Sequence, residues 1–503
     1  KGNNTMKATL IQLNMKSADI EENSDKIKQY INEQNSEELI IFPMLAITGI
    51  NCCDYFKNPE FIEKQNAVLE EITELSKQRD IIIGIAEKAE DGLYNSVALL
   101  SNGKKKILCR KKDLTMQEQK YFKSGEGPTD IEYHGRLMTV TLDKVKDCKT
   151  DILLNLHAEN FQMDNFMKRN AKKSFPEIRV NPVCLTGSLL FDGRSYFSTK
   201  NGVKIVEAPA FEECKICYDE NVEYKGIEEK EINIYDETVD AITFAIKDFC
   251  KKNGFKKIVL GLSGGIDSAL TAAIACRAIG SENVTGITMP SEYSSSGSVD
   301  DSVELAKNLG MECKNISIKP LFETFVDKVQ GQKYNDLAEE NLQSRLRGII
   351  LMNYSNRYNA LLMATGNKSE VATGYCTLYG DTCGGFCVLS DIYKTDVYKV
   401  AERINKDRII IPTSTMTKPP SAELRPNQKD TDSLPEYDVL DKVIKLYFEE
   451  NIDEEEICYM LPNKPVKQII RTILRAEFKR KQMTSGVKLS DRSFVCDIDY
   501  PAI

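Results

Sequence analysis

Six residues, Ser263-Gly264-Gly265-Ile266-Asp267-Ser268, connect an apolar run, VLGL, to a helix-forming stretch, DSALTAAIACRAIG. Adjacent glycines let a backbone approach a ligand closely and turn successive N–H groups outward. A helix that starts at once adds unpaired N–H groups and the positive end of its dipole. The hydroxyls of Ser263 and Ser268 supply further donors, and the whole reads as a phosphate cradle. No Lys follows the glycines, so this is not the Walker A loop, and the spacing is not that of a GxGxxG dinucleotide fingerprint. Asp267 is an acid in the first turn of that helix, near the positive end of its dipole. A second position of chemical interest closes the apolar run EELIIF, in IIFPMLAITGI. Strand ends are where α/β folds tend to carry chemistry. Met44 stands there, and a thioether neither takes up a proton nor binds a hard cation.

These positions need elements to hold them. From residue 234 the order is helix ETVDAITFAIKDFCKKNG, strand KIVLGL, the Gly-rich turn, helix DSALTAAIACRAIG, strand NVTGITMP, helix VDDSVELAKNLG and strand CKNISI. This βαβαβ order predicts a Rossmann-like parallel sheet with right-handed crossovers. Ahead of it, KATLIQLN, ELIIFP, IIIGIAE, YNSVALLS, MTVTL, DILLNL and SLLFDGRSYF read as strands, with IEENSDKIKQYINEQ as an amphipathic helix. That alternation predicts a separate α/β domain. The expected boundaries are 6–208 for the first domain, 209–233 for a polar linker and 234–503 for the second domain.

Composition sets outer limits. The chain has 503 residues, 41% apolar and 28% charged, which fits a globular protein of two or three domains. A net charge of −9 and a pI near 5.3 argue against nucleic acid as the main partner. No run reaches bilayer-spanning length, and the N-terminus lacks a signal-peptide core, so a cytoplasmic, membrane-free protein is expected. The 15 cysteines then read mainly as small buried hydrophobes. Cys214 and Cys217 form the one CxxC, without a second pair to complete a zinc site, and His134 and His157 stand alone.

The SGGIDS loop resembles the SGGxDS motif of the ATP pyrophosphatase family, whose enzymes split ATP between its α- and β-phosphates to adenylate a carbonyl or carboxyl oxygen. The segments MPSEYSSSGSVDDSVELAKNLG, AEENLQSRLRG, LLMATGNKSEVATGY, TLYGDTCGGF, DIYKTDVY and PPSAELRPNQKDTDSLPEYDVLD follow in order. Over 234–481 this series resembles the NAD synthetase family, which makes NAD from deamido-NAD (nicotinic acid adenine dinucleotide). The resemblance implies ATP as co-substrate and Mg²⁺ held by Asp267 and Glu370. It implies ATP contacts from Ser263, Gly264, Gly265, Asp267, Ser268, Thr365 and Lys394, with Ser421 in a second phosphate-binding loop. It also implies deamido-NAD contacts from Arg345 and from Lys479, and a homodimer or higher homo-oligomer.

The first half resembles the nitrilase-fold glutaminase that precedes many NAD synthetases, an α-β-β-α sandwich. The resemblance rests on FPMLAITG, YNSVALLSNGKKKILCRKKDL, DILLNLHAEN and LLFDGRSYF. That family's mechanism needs a Glu base, a Lys and a Cys nucleophile. The Glu position holds Met44. The Lys is Lys111, or Lys112 on a register one residue later. The Cys position falls on Thr141 or Leu142 of MTVTLDKV, and much of the segment after the nucleophile is missing. Cys148, in the charged stretch KVKDCKTD, has no evident base, and Cys52 and Cys53 follow the first motif but sit past the strand end. The expectation is a pseudo-glutaminase retained as scaffold or oligomerisation surface, Lys111 without a chemical role, and free ammonia as nitrogen donor. The alternatives are a glutamine-dependent synthetase with an unrecognised thiol, another adenylating ligase of the same loop family, and a non-catalytic nucleotide-binding regulator.

Overall fold

The computed structural model describes residues 6–34, 38–145, 148–163, 175–228 and 231–502. The chain forms two compact units that divide at Glu231 and Ile232.

The first unit carries strands β1 (Lys7–Gln12), β2 (Leu39–Ile41), β3 (Ile81–Ala89), β4 (Gly92–Ser101), β5 (Lys104–Arg110), β6 (Thr129–Tyr133), β7 (Arg136–Thr141), β8 (Ile152–Asn155), β9 (Glu177–Arg179), β10 (Val183–Thr186), β11 (Leu189–Asp192), β12 (Tyr196–Ser198), β13 (Lys204–Glu207) and β14 (Cys214–Asp219). One six-stranded sheet runs β14-β1-β2-β3-β4-β5 and another β13-β12-β9-β8-β7-β6. Leu10, Ile41 and Ile83 of the first sheet share one buried cluster with Val140, Leu154 and Ile178 of the second. Helices α1 (Ile20–Asn32) and α2 (Pro59–Leu75) add Ile27, Ile31, Ile62 and Leu69 to it. This is the expected α/β sandwich. Strand β2 is buried throughout and pairs in parallel with β1 and β3, as its unbroken apolar run requires.

Several features differ from the sequence reading. SLLFDGRSYF, read as one strand, forms two: Gly193 and Arg194, with φ of 73° and 57°, turn the chain, so β11 pairs with β10 while β12 lies between β13 and β9 in another sheet. The stretch read as an irregular linker contains β14, which pairs antiparallel with β1 along its whole length. It is a half-exposed edge strand, so it lacks the apolar run that marks a buried one. Successive strand residues face opposite ways, so the three-residue spacing sends Cys214 and Cys217 to opposite faces of β14, and the CxxC cannot close on one metal ion. Strand β5, KKKILCR, escaped notice because its first half is lysine. The hairpin before it was legible: Asn102 and Gly103 both have positive φ, 51° and 71°, the geometry an Asn-Gly turn favours.

The second unit is built on a parallel sheet ordered β17-β16-β15-β18-β19, from β15 (Ile258–Leu262), β16 (Val284–Thr288), β17 (Glu312–Asn315), β18 (Leu361–Ala364) and β19 (Phe386–Cys387). The helices that matter here are α3 (Ile234–Asn253), α4 (Ile266–Ile279), α5 (Ser296–Leu309), α6 (Lys319–Phe325), α7 (Leu337–Tyr358), α8 (Lys368–Thr373), α9 (Lys394–Ile404), α10 (Thr413–Thr417), α11 (Tyr437–Ile444), α12 (Glu454–Met460), α13 (Val466–Arg475) and α14 (Glu477–Arg480). Asn233 caps α3 and Gly254, with φ of 75°, ends it. The strand order reverses direction between β15 and β18, which creates the crevice where open α/β sheets bind ligands. Val259, Ile287, Leu346 and Leu362 pack α7 on the sheet. A second cluster, with Ala372, Leu440, Ile469 and Ile473, packs α11 and α13 against α8.

Candidate active site

The SGGIDS loop leaves β15 at the switch point. Gly264 has φ of 77°, and a Cβ there would lie 2.4 Å from the carbonyl oxygen of Ser298 on α5. The turn therefore needs glycine twice over, for its conformation and for the close approach. Ser263 and Ser268 hydroxyls are 3.1 Å apart, and Gly265 N–H donates to Ser263 Oγ at 3.2 Å. Gly265 caps α4 without a side chain, so no residue of the cap occupies the first-turn N–H groups. These groups face the dipole's positive end and suit an anionic ligand.

Strand β18 delivers the other wall. Thr365 follows it, and Asn367 caps α8 in a capping box with Glu370. Asn367 Nδ2 donates to Asp267 Oδ1 at 2.9 Å, and Lys394, at the start of α9, makes an ion pair with Asp267 Oδ2. Burial pulls the Lys394 ammonium down, but Asp267 and Glu370 more than offset this and hold it above its ordinary value. Burial pushes the Glu370 carboxyl up to about 8, with help from the Asp267 charge and against the pull of Lys394. Asp430 is raised too, chiefly by burial, and accepts from Tyr437 Oη at 2.9 Å. Three carboxylates thus share one lysine, and the crevice is short of positive charge. Among the described residues no trio of His, Cys, Asp and Glu side chains forms a complete metal cage. An all-oxygen pair short of cation fits Mg²⁺, which is commonly held by one or two carboxylates plus substrate phosphates.

The remaining expected residues are Ser421, Arg345 and Lys479. Ser421 is exposed in a loop whose Glu423 accepts from Ser295 Oγ at 2.9 Å and Ser298 Oγ at 2.8 Å, which ties that loop to the start of α5 behind Gly264. Arg345 is exposed on α7 and its Nε donates to Leu378 O at 3.2 Å. Lys479 Nζ donates to the carbonyls of Gly374 and Cys376, both at 2.8 Å. Arg345 and Lys479 therefore flank one loop, 374–383, and Lys479 spends two of its three N–H bonds on the backbone. Sequence reasoning missed Asn367, Asp430 and Arg347. Arg347 donates from Nε to Met289 O at 3.0 Å, and burial pushes its guanidinium down to about 10. The only signal for it was its spacing: two residues from Arg345 on a helix, it faces the sheet instead of solvent.

In the first unit, Met44 is 4% exposed, and Asn95 Nδ2 donates to its sulfur at 3.1 Å. Its backbone lies against β3, where a Cβ on Gly84 would come within 2.4 Å of Met44 Cα. Lys111 is not idle: its buried ammonium bonds both oxygens of Glu118, at 2.7 and 2.8 Å. Lys112 offers its N–H to Asp143 at 3.1 Å. Thr141 ends β7, fully buried, with its hydroxyl accepting from Asp143 N at 2.9 Å, and Leu142 beside it is also fully buried. His157 Nδ1 lies 2.9 Å from Leu142 O, and burial together with the Lys111 charge pushes it down to about 4, leaving a neutral ring. Cys52 bonds the carbonyls of Thr48 and Gly49, and burial pushes its thiol up to about 12. Cys53 is exposed beside Asn51, and Cys148 lies 3.4 Å from Thr139 Oγ1. Cys109, close in sequence to Lys111, is also pushed up to about 12 by burial.

Comparison with known proteins assigns each half of the chain to a family. The carbon-nitrogen hydrolase family profile matches residues 7–142, and the NAD synthase profile matches 238–483. The glutamine-dependent NAD(+) synthetase of Aquifex aeolicus (strain VF5) is 34% identical over 556 aligned positions, 98% of either chain. That of Synechocystis sp. is 36% identical over 537, 96% of either chain. A solved glutamine-dependent NAD+ synthetase from Acinetobacter baumannii, in complex with ADP, superposes with a TM-score of 0.76 at 31% identity, covering 99% of this chain and 98% of that one. One from Cytophaga hutchinsonii reaches 0.83 at 19% identity over 99% and 98% of the chains, which speaks to the fold alone. With similarity of this degree running from end to end, the chain belongs to the NAD synthetase family and carries a carbon-nitrogen hydrolase region ahead of its synthase region.

Proposed function

We propose that this NAD synthetase amidates deamido-NAD with free ammonia, and that its first unit hydrolyses no glutamine. The nicotinate carboxylate oxygen attacks the α-phosphorus of ATP; the bond to the bridging oxygen breaks and pyrophosphate leaves. The ammonia nitrogen then attacks the acyl carbon, the bond to AMP breaks, and the nitrogen loses a proton. The chain needs no nucleophile for either step. Ser263, Gly264, Gly265 and Ser268 receive the phosphates, aided by the start of α4, with Ser421 on the opposite loop. Thr365 and Lys394 hold ATP, and Arg345 and Lys479 address deamido-NAD from either side of 374–383. Asp267 and Glu370 would hold Mg²⁺, which when bound neutralises phosphate charge. Positioning and charge neutralisation then carry the rate.

The observation that carries the ammonia reading is Met44, whose sulfur accepts from Asn95 where a base is required. Thr141 at the nucleophile position and Lys111 committed to Glu118 agree with it. So does the carbon-nitrogen hydrolase match, which stops at 142. The Aquifex alignment of 556 positions also exceeds the 503 residues of this chain, so the chain is gapped by several dozen positions.

A second reading is favoured by the names of the relatives: glutamine as donor, through a thiol outside the family position. Against it, Cys52 and Cys109 are held protonated, and the thiolate is the nucleophile. The decisive assay supplies deamido-NAD, ATP and Mg²⁺ with either ammonium or glutamine. We expect NAD from ammonium only; equal rates would refute the proposal, and selective loss of a glutamine-driven rate on alkylation would establish the thiol. Failure to release pyrophosphate with either donor would favour the non-catalytic nucleotide-binding reading, which intact Asp267, Glu370 and Lys394 oppose.

A further inference from the structure

Lys368, inside TGNKSE, is fully buried. A lysine almost never reaches that state without partners. Its ammonium lies 2.9 Å from Asp391 Oδ1, is paired with Glu449, donates to Ser490 Oγ at 2.7 Å and to Arg492 O at 3.1 Å, and sits 4.8 Å from the centre of the Tyr393 ring. Tyr393 Oη donates to the same Glu449 at 2.6 Å. Asp391 in turn accepts from the N–H groups of Leu489 and Ser490, at 2.7 and 2.8 Å.

Such a cluster is a poor way to gain stability. Desolvating a buried ion pair costs about as much as the pair returns, and apolar replacement of all its members is often neutral. Its location suggests another use. Lys368 is flanked by Asn367 and, two residues on, Glu370; Asp391 and Tyr393 lead directly into Lys394. Asn367 and Glu370, around Lys368, and Lys394, after Tyr393, are the residues of these two segments drawn to Asp267. Hydrogen bonds from main-chain N–H groups lace the same two helix starts: Lys368 N–H donates to Ile392 O at 2.9 Å, and Lys394 N–H to Ser369 Oγ at 3.0 Å.

We infer that Lys368, Asp391 and Glu449 are positioning residues for the adenylation step: they bracket the starts of α8 and α9 so that Glu370 and Lys394 meet around Asp267. The inference rests on the reading of Asp267 and Glu370 as Mg²⁺ carboxylates. All three are buried, so they act through the residues they hold. Partners of metal-holding residues typically change metal affinity or activity by roughly 10- to 100-fold when removed.

The test uses the full chain and follows pyrophosphate release with deamido-NAD, ATP and ammonium across a Mg²⁺ titration, beside thermal melting. K368M alone removes the cation that faces both buried carboxylates and is expected to lower the melting midpoint. K368M/D391N/E449Q removes all three charges of the cluster together, and its melting is expected to recover toward that of the parent. If the bracket positions the site, this triple variant still needs roughly 10- to 100-fold more Mg²⁺ for half-saturation. A triple variant with the parent's Mg²⁺ dependence would overturn the inference and leave the cluster a packing feature. E370Q is measured in parallel. If E370Q leaves the Mg²⁺ dependence unchanged, the metal reading falls; if E370Q shifts it and the triple variant does not, the bracket alone falls.

Discussion

Replacing Met44 with glutamate tests whether the first unit has lost a working site or merely one residue of it. The new carboxyl would sit in a pocket where Met44 is 4% exposed and the nearest donor is Asn95 Nδ2. The lysine expected to serve that site is committed to both oxygens of Glu118. An unpaired carboxyl at such a place is raised by ~3–5 pKa units, so at pH 7 it is neutral when folded and ionised when unfolded. With an unfolded value of ~4.3 and about 1.36 kcal/mol per unit, staying neutral costs about 3.7 kcal/mol at pH 7 and about 1 kcal/mol at pH 5. A hydrogen bond from Asn95 returns about 1 kcal/mol of this at either pH. The sign follows from proton linkage: the folded state binds the extra proton, so stability falls as pH rises from ~4.3 toward the folded value, and the loss vanishes below ~4. Urea unfolding of M44E and parent, read by hydrogen exchange of the peptide 39–50, measures the difference at each pH. The variant is expected to lose about 2.7 kcal/mol more at pH 7 than at pH 5 and to release no ammonia from glutamine. A pH-independent difference would mean that the introduced carboxyl is ionised in the fold, by pairing with Lys111 or by reaching water, and the pocket is not the apolar one inferred here. Glutamine hydrolysis by M44E would refute the assignment of the nucleophile position to Thr141 or Leu142.

Three further outcomes are expected. K394M removes the cation paired with Asp267, so pyrophosphate release should fall about 10²- to 10³-fold, as for loss of one preorganised electrostatic group, and the melting midpoint should fall as well because the largely buried Asp267 loses its partner; a loss of rate under threefold would exclude Lys394 from the site. G264A places a Cβ 2.4 Å from Ser298 O at a φ of 77°, so the KM for ATP should rise at least tenfold by displacement of the cradle; an unchanged KM would refute that use of the loop. K111M strands Glu118, which keeps some water at 18% exposed, so urea unfolding should show a loss of about 1–2 kcal/mol, below that of a fully buried pair, and the ammonium-driven rate should not change.

Much of the fold was legible because its strands differ in kind. Buried parallel strands such as β2 and β15 are unbroken apolar runs between turn residues, and nothing else of that length fits them. Edge strands carry no such mark. β14, CKICYD, mixes polar and apolar residues on a half-exposed edge, and β5 begins with three lysines, so each is defined by its partner strand more than by its own side chains. For β5 the Asn-Gly turn was the readable signal, and for β6 and β7 the pair His134 and Gly135, with φ of 51° and 77°, turns the chain in the same way.

The site divides differently. The cradle was legible because it is local: two glycines, two hydroxyls and a helix start lie within six residues. Its electrostatics are tertiary. Lys394 meets Asp267 across 127 residues and Asn367 meets it across 100, and neither distance leaves a trace in local pattern. Asp430, Arg347 and Lys368 each read alone as surface charges, and all are drawn inward by partners from distant segments. What residue type does settle is chemistry that cannot occur. Methionine at 44 cannot take a proton in any surroundings, whereas Lys111 can be catalytic, structural or idle according to what it touches. The packing decides that second kind of question, and Glu118 is the answer it gives: the lysine stays buried because a carboxylate remains beside it, whether or not a substrate ever did.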